Sequence, residues 1–185
     1  MAMPATQPGA LPWHPRPWTL EEFSALPDDN GQRVELIDGA LVVSPAPGGP
    51  HQRVLRRLTG GLDRAAPIDT EVMPGINVVL GPDRVLIPDV AVTTVPDSDA
   101  VFFDAADMLI VVEIISPSSR VYDKALKRVL FAEAGIPYYL LVDPAGGPVQ
   151  ATLFGLRAGA YEPVAASVDG RLRFSEPFPV DIELG

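Results

Sequence analysis

Residues 108–115 read MLIVVEII, an unbroken apolar run whose one charged member is Glu113. A run of this kind is what a central strand covered on both faces requires. The hydroxyl-rich SPSS at 116–119 supplies capping residues for a helix from about Arg120 to Ala134, which Gly135 and Pro137 terminate in the usual order. YYLLVDP, from Tyr138, reads as a second buried strand. Strand, helix and strand in this order predict a right-handed parallel crossover, and hence a mixed central sheet flanked by helices, of the α/β (α+β) class.

Upstream, TLEEFSALP predicts a short helix with Thr19 as N-cap, Glu22 closing a capping box, and Pro27 just past the end. RVELIDGALVVSP alternates as strands do, and Asp38-Gly39 is a two-residue hairpin turn. HQRVLRRLTGGLDRAA places Val54, Leu55, Leu58 and Leu62 at helical spacing, with Gly60 and Gly61 weakening its continuity. Strands are expected at 68–72, 76–80 and 85–92, forming a meander, followed by an Asp-rich loop at 97–107. Downstream, 151–156, 161–168 and 172–174 predict an antiparallel hairpin and a sheet edge. Residues 1–17, rich in Pro and small residues, read as a flexible arm ahead of a single domain over 18–185.

Composition narrows the chemistry. No apolar run approaches a membrane span, and the amino terminus lacks a secretory pattern, so a cytoplasmic protein without membrane contact is expected. The chain has no Cys and two His, His14 and His51, far apart in sequence. A metal site would therefore be built mainly from carboxylates, which favours Mg²⁺ or Mn²⁺ over zinc. A net charge of −10 argues against coating nucleic acid with the whole surface, so such contact must be local. Two basic clusters offer it: Arg53, Arg56, Arg57 and Arg64, then Arg120, Lys124, Lys127 and Arg128. Each cluster taken alone is equally consistent with a solvated helix face.

Glu113 carries the most information, because an ionised carboxylate in an apolar strand needs a cation or a metal beside it. Asp89, fixed by Pro88 in VLIPDVAV, ends the preceding strand pattern. Two carboxylates on adjacent strands can share a divalent cation, which also relieves their repulsion. Lys124 and Lys127 are the only lysines beside twelve arginines. A compact ammonium with a tunable pKa is one reason to keep them, and ordinary surface cations are the other reading.

Asp89 after Pro88, Glu113 in VVEIISPSS, the helical YDKALK and GIPYYLLVDP together resemble the Uma-two family, a group assigned to endonucleases within the PD-(D/E)XK superfamily. RVELIDGALVVSPAPGGPHQRV extends the resemblance, which runs from about Thr19 to about Pro163. It implies a restriction-endonuclease-like fold and Mg²⁺- or Mn²⁺-dependent hydrolysis of nucleic acid, DNA before RNA. A homodimer is a natural arrangement for cutting both strands. It also implies Asp89 and Glu113 as metal ligands, with the Ile114 carbonyl as a further oxygen. The superfamily pattern would place Lys two residues after Glu113, where Ile115 stands; Lys127 on the following helix matches the displaced lysine, with Lys124 as fallback. Glu35 matches an acidic position near the metal, although strand alternation would also let it face solvent. His51, at the start of a helix beside the first arginine cluster, is a candidate for touching phosphate or orienting a water, and Arg53 and Arg120, one from each basic cluster, are further substrate-binding candidates. The alternatives are a nuclease fold that binds without cutting, and an assembly domain in which Glu113 and Lys127 form a buried ion pair.

Overall fold

The computed structural model describes residues 14–26, 33–44, 46–116 and 122–185, without the side chains of residues 122–124. Helix α1 (Leu20–Ser24) has the expected capping box: the Thr19 side chain accepts from the Glu22 amide while the Glu22 carboxylate accepts from the Thr19 amide. Strands β1 (Arg33–Ile37) and β2 (Ala40–Ser44) pair antiparallel across Asp38-Gly39. Both turn residues have positive φ, 50° and 74°, as a tight hairpin with right-handed strand twist needs. Helix α2 (Gly49–Ala65) carries Pro50 in its first turn and runs unbroken through Gly60 and Gly61. Gly61 has a packing reason, since a Cβ there would lie 2.6 Å from Ile182.

The middle of the chain departs from a simple meander. β3 (Glu71–Pro74) starts three residues later than expected, and Ile68 is fully exposed. β4 (Asn77–Gly81) forms a hairpin with β5 (Arg84–Leu86), but the run expected at 85–92 breaks at Ile87-Pro88-Asp89 and resumes as β6 (Val90–Thr93) in another sheet. Proline has no N–H for a ladder, so the strand ends where Pro88 stands. The Asp-rich loop also holds β7 (Phe102–Asp104), parallel to β4, and a 3₁₀ turn at Ala105–Asp107.

β8 (Met108–Ile114) is the expected central strand. A π-helical segment, Tyr122–Lys127, leads into α3 (Arg128–Glu133), which Gly135 ends at φ 79°. β9 (Tyr138–Asp143) then pairs with β8 in parallel, as the crossover pattern requires. β10 (Gln150–Arg157) and β11 (Ala160–Ala166) form the closing hairpin. β12 (Arg171–Phe174) pairs with β13 (Val180–Glu183), a strand that the sequence pattern did not mark.

Two main sheets result, in the orders β2-β1-β5-β4-β7 and β11-β10-β9-β8-β6-β3, beside the β12–β13 hairpin. This is a mixed α+β architecture, with the core on both faces of the larger sheet. Ile110, Val112 and Ile114 of β8 meet Val54, Leu58 and Leu62 of α2 on one face. Val111 alternates to the other, with Leu130 and Phe131 of α3 and Leu86 of the smaller sheet. By the same alternation Glu113 falls on the α3 side, between the sheets. Of the arm expected over 1–17, residues 1–13 lie outside the described residues; the Trp18 amide just beyond it donates to the Gly39 carbonyl at 2.8 Å.

Candidate active site

The break at Pro88 builds the site. It frees the Ile87 amide to donate to Glu35 Oε1 at 2.8 Å, while the Asp89 amide bonds the Val112 carbonyl at 2.9 Å and ties the bend to the end of β8. Asp89 is thereby held beside Glu113. Its Oδ1 accepts from Arg33 Nη1 at 2.7 Å; its Oδ2 accepts from the Ile114 amide at 2.7 Å and from His51 Nε2 at 3.1 Å. Because Asp89 accepts only, His51 must carry its proton on Nε2. Lys127, from the helix after β8, donates to Glu113 Oε1 and to Glu35 Oε1, each at 2.9 Å.

Glu35, His51, Asp89, Glu113 and Lys127 are all buried. The half-exposed reading of Glu35 is therefore corrected: it points inward, since Ile87 and Lys127 supply donors there and solvent does not reach it. Lys127 is likewise no surface cation. Burial works against the Asp89 carboxylate, but the hydrogen bond from His51 and the charge of Arg33 outweigh it and hold its pKa at about 2. Burial pushes Glu113 the other way, above the ordinary carboxylate range, with Lys127 opposing. Although burial disfavours its charge, Lys127 is held firmly protonated by Glu113 and Glu35.

Of the residues expected from sequence, Asp89, Glu113, Lys127, Glu35, His51 and Ile114 converge, with Ile114 present through its amide. Arg53 lies exposed on α2, off the cluster. Arg120 lies outside the described residues, as does the side chain of Lys124. Arg33 is the member that the sequence reading passed over. Period-two alternation places it on the same face of β1 as Glu35, and that signal was available. Its Nε and Nη2 are buried with no acceptor among the described residues, and His51 Nδ1, the accepting nitrogen of this tautomer, is buried with no donor among them.

Three carboxylates, two of them in a bridge through one ammonium and the third clamped by a guanidinium, stand where two sheets meet in a mixed α+β fold. That arrangement defines a mixed α+β domain with a charged, water-excluding site. The chain belongs to the Uma2 family, described as "putative restriction endonuclease", whose model matches residues 20–185. Among solved structures it is similar to a putative nuclease belonging to DUF820 from Anabaena variabilis, with 19% identity, a TM-score of 0.70, and coverage of 87% of this chain and 90% of that one. No protein of curated function matches it. Family and fold together support a nuclease. No helix among the described residues is long and apolar enough to cross a membrane.

Proposed function

We propose that the chain is a metal-dependent endonuclease that hydrolyses phosphodiester bonds in DNA, with Asp89 and Glu113 holding Mg²⁺ or Mn²⁺. The observation that carries this reading is the charge balance of the cluster. Among the described residues, Glu35, Asp89 and Glu113 face only Arg33 and Lys127 as permanent cations, in a buried setting where an unbalanced carboxylate is expensive. A divalent ion more than offsets the excess carboxylate and leaves positive charge facing a phosphate, and the donors are hard oxygens.

No group of three or more His, Asp or Glu side chains among the described residues forms a metal cage. Two carboxylates and a main-chain oxygen, completed by water, suit Mg²⁺, which dehydrates reluctantly. Asp89 has about four acceptor positions and three donors on them, which leaves room for one metal bond. When bound, such an ion supplies Lewis-acid polarisation of the phosphate and a more acidic water.

The chain's own residues do the rest. Arg33, His51 and the Ile114 amide keep Asp89 ionised and oriented. Burial favours the protonated form of Glu113 in the metal-free site, so a cation held there would displace that proton. The Lys127 ammonium, anchored on Glu35 and Glu113, stands ready to stabilise charge that develops on the reacting phosphate.

The same Lys127–Glu113 contact favours a second reading, an ion pair that only holds the sheets together in a non-cutting module. Titration calorimetry of Mn²⁺ into wild type, Asp89→Ala and Glu113→Gln, with plasmid nicking on the same samples, decides between them. Binding and nicking that vanish together in both variants support the nuclease. Binding without nicking in the wild type favours the non-cutting module, and no binding removes the metal site.

A further inference from the structure

The chain has 24 acidic and 14 basic residues, so carboxylates are in excess. Arginines elsewhere in the described residues accordingly find acceptors: Arg84 bonds Asp38 and Glu133, and Arg171 bonds Asp181. Arg53, Arg56 and Arg64 do not; no acceptor meets them among the described residues. All three project from α2. At 100° per residue they fall with Arg57 within about a third of the helix circumference, opposite the buried Val54, Leu58 and Leu62.

Three unpaired guanidinium groups on one helical face of a chain with net charge −10 are not explained by folding. An external polyanion explains them. Eleven residues at 1.5 Å rise give the row from Arg53 to Arg64 a length of about 16 Å. At 3.4 Å of axis per phosphate, one strand of a duplex presents about five phosphates over that span. A single phosphate group would need one or two of these arginines, not the whole row.

The far half of the row opens into a cleft of about 390 Å³ where α2 meets the β12–β13 hairpin, lined by Arg56, Arg57 and Arg64 with Arg171, Asp181 and Glu183. Arg171 and Arg173 already neutralise Asp181, and Arg57 is committed to the Leu184 carbonyl. Glu183 and the exposed Asp63 are the counter-charges that remain nearby. Arg53, at the near end of the row, lies in the first turns of α2 as His51 does but on the opposite face, so the row follows the solvent side of the helix while the His51 ring reaches Asp89 from its buried side.

We propose that the exposed face of α2 is a phosphate track that docks the DNA backbone flanking the bond to be cut. The proposal rests on the nucleic-acid reading above and extends it to a surface outside the carboxylate cluster. It makes affinity separable from chemistry: the track supplies charge contacts, and the cluster does not need it to hold metal.

Binding of a fluorescein-labelled 20-bp DNA duplex, followed by anisotropy in EDTA over a KCl series, tests it in the full-length protein. Arg56→Ala/Arg64→Ala should reduce the slope of log K against log [KCl] by about 2, near 0.9 for each phosphate that is no longer neutralised. Arg56→Lys/Arg64→Lys, which keeps both charges, should retain the wild-type slope. An alanine variant with the wild-type slope overturns the track, as does a wild type that binds without salt dependence. Cleavage in Mg²⁺ on the same samples separates the two ideas. Equal slopes with every sample cutting leave the nuclease standing and remove the track; a reduced slope with no sample cutting does the reverse.

Discussion

Lys127 Nζ lies 2.9 Å from Glu113 Oε1, joining a helix to the strand that precedes it across fourteen residues of chain. The same nitrogen reaches Glu35 at 2.9 Å, so one buried ammonium separates two buried carboxylates. This contact ties the two sheets and the helix after β8 to one point.

Replacing Lys127 by Met leaves Glu35 and Glu113 without their shared cation. Removing one partner of a buried ion pair costs about 3–5 kcal/mol. Urea unfolding at pH 7 should show a loss of that order, with Lys127→Met/Glu113→Gln recovering part of it. A loss below 1 kcal/mol, about what an exposed ion pair contributes, would mean the bridge is not formed in solution.

Glu113→Gln is expected to lose function and gain stability at alkaline pH. Glu113 has a folded pKa above its ordinary 4.5, so the folded state binds the proton more tightly than the unfolded state. The stability linked to that proton is complete below pH 4.5 and drains away as pH rises through the raised value. Thermal unfolding of the metal-free protein from pH 5 to 9 should fall more steeply for wild type than for the variant. A stability profile unchanged by the substitution contradicts this.

Asp89 works in the opposite direction. Its pKa is lowered from 3.8 to about 2, so its contribution is complete above pH 3.8 and lost as pH falls toward 2. The shift corresponds to about 2 kcal/mol. Denaturant midpoints of wild type and Asp89→Asn between pH 5 and 2 should converge by that amount as the acid limit is approached. Parallel curves would show that Arg33 and His51 do not hold the carboxylate.

The adjacent glycines of α2 should respond with opposite signs. A Cβ at Gly60 meets only the end of the Arg64 side chain, at 3.5 Å, so Gly60→Ala gains about 1 kcal/mol of helix propensity. A Cβ at Gly61 lies 2.6 Å from Ile182, so Gly61→Ala loses about 1–3 kcal/mol to overpacking despite the same propensity gain. Melting temperatures of the two variants check this directly, and a stabilised Gly61→Ala would show that the α2–β13 contact is loose.

The elements that sequence reasoning located were those specified by neighbours along the chain. The Thr19–Glu22 capping box, the Asp38-Gly39 hairpin, the apolar face of α2, the β8 strand and the Gly135 stop each need only a few adjacent residues, and local sterics and periodicity determine them. Glu113 and Asp89 were legible for a related reason: a charge in an apolar run, and a Pro-Asp at a strand end, announce themselves without a partner. The family resemblance supplied Glu35, His51 and Lys127, whose local patterns were ambiguous.

Only the tertiary structure decided which sheet each strand joins and which charges meet. β5 and β6 read as one run, yet Pro88 sends them to different sheets; β13 shows its role only when it packs against Gly61 of α2. Arg33 and Asp89 are 56 residues apart, and Glu35 and Lys127 are 92 apart. Such pairings depend on distance and burial in three dimensions, because the strength of a charge interaction is set by separation and by the exclusion of water, and neither is written in the order of the residues.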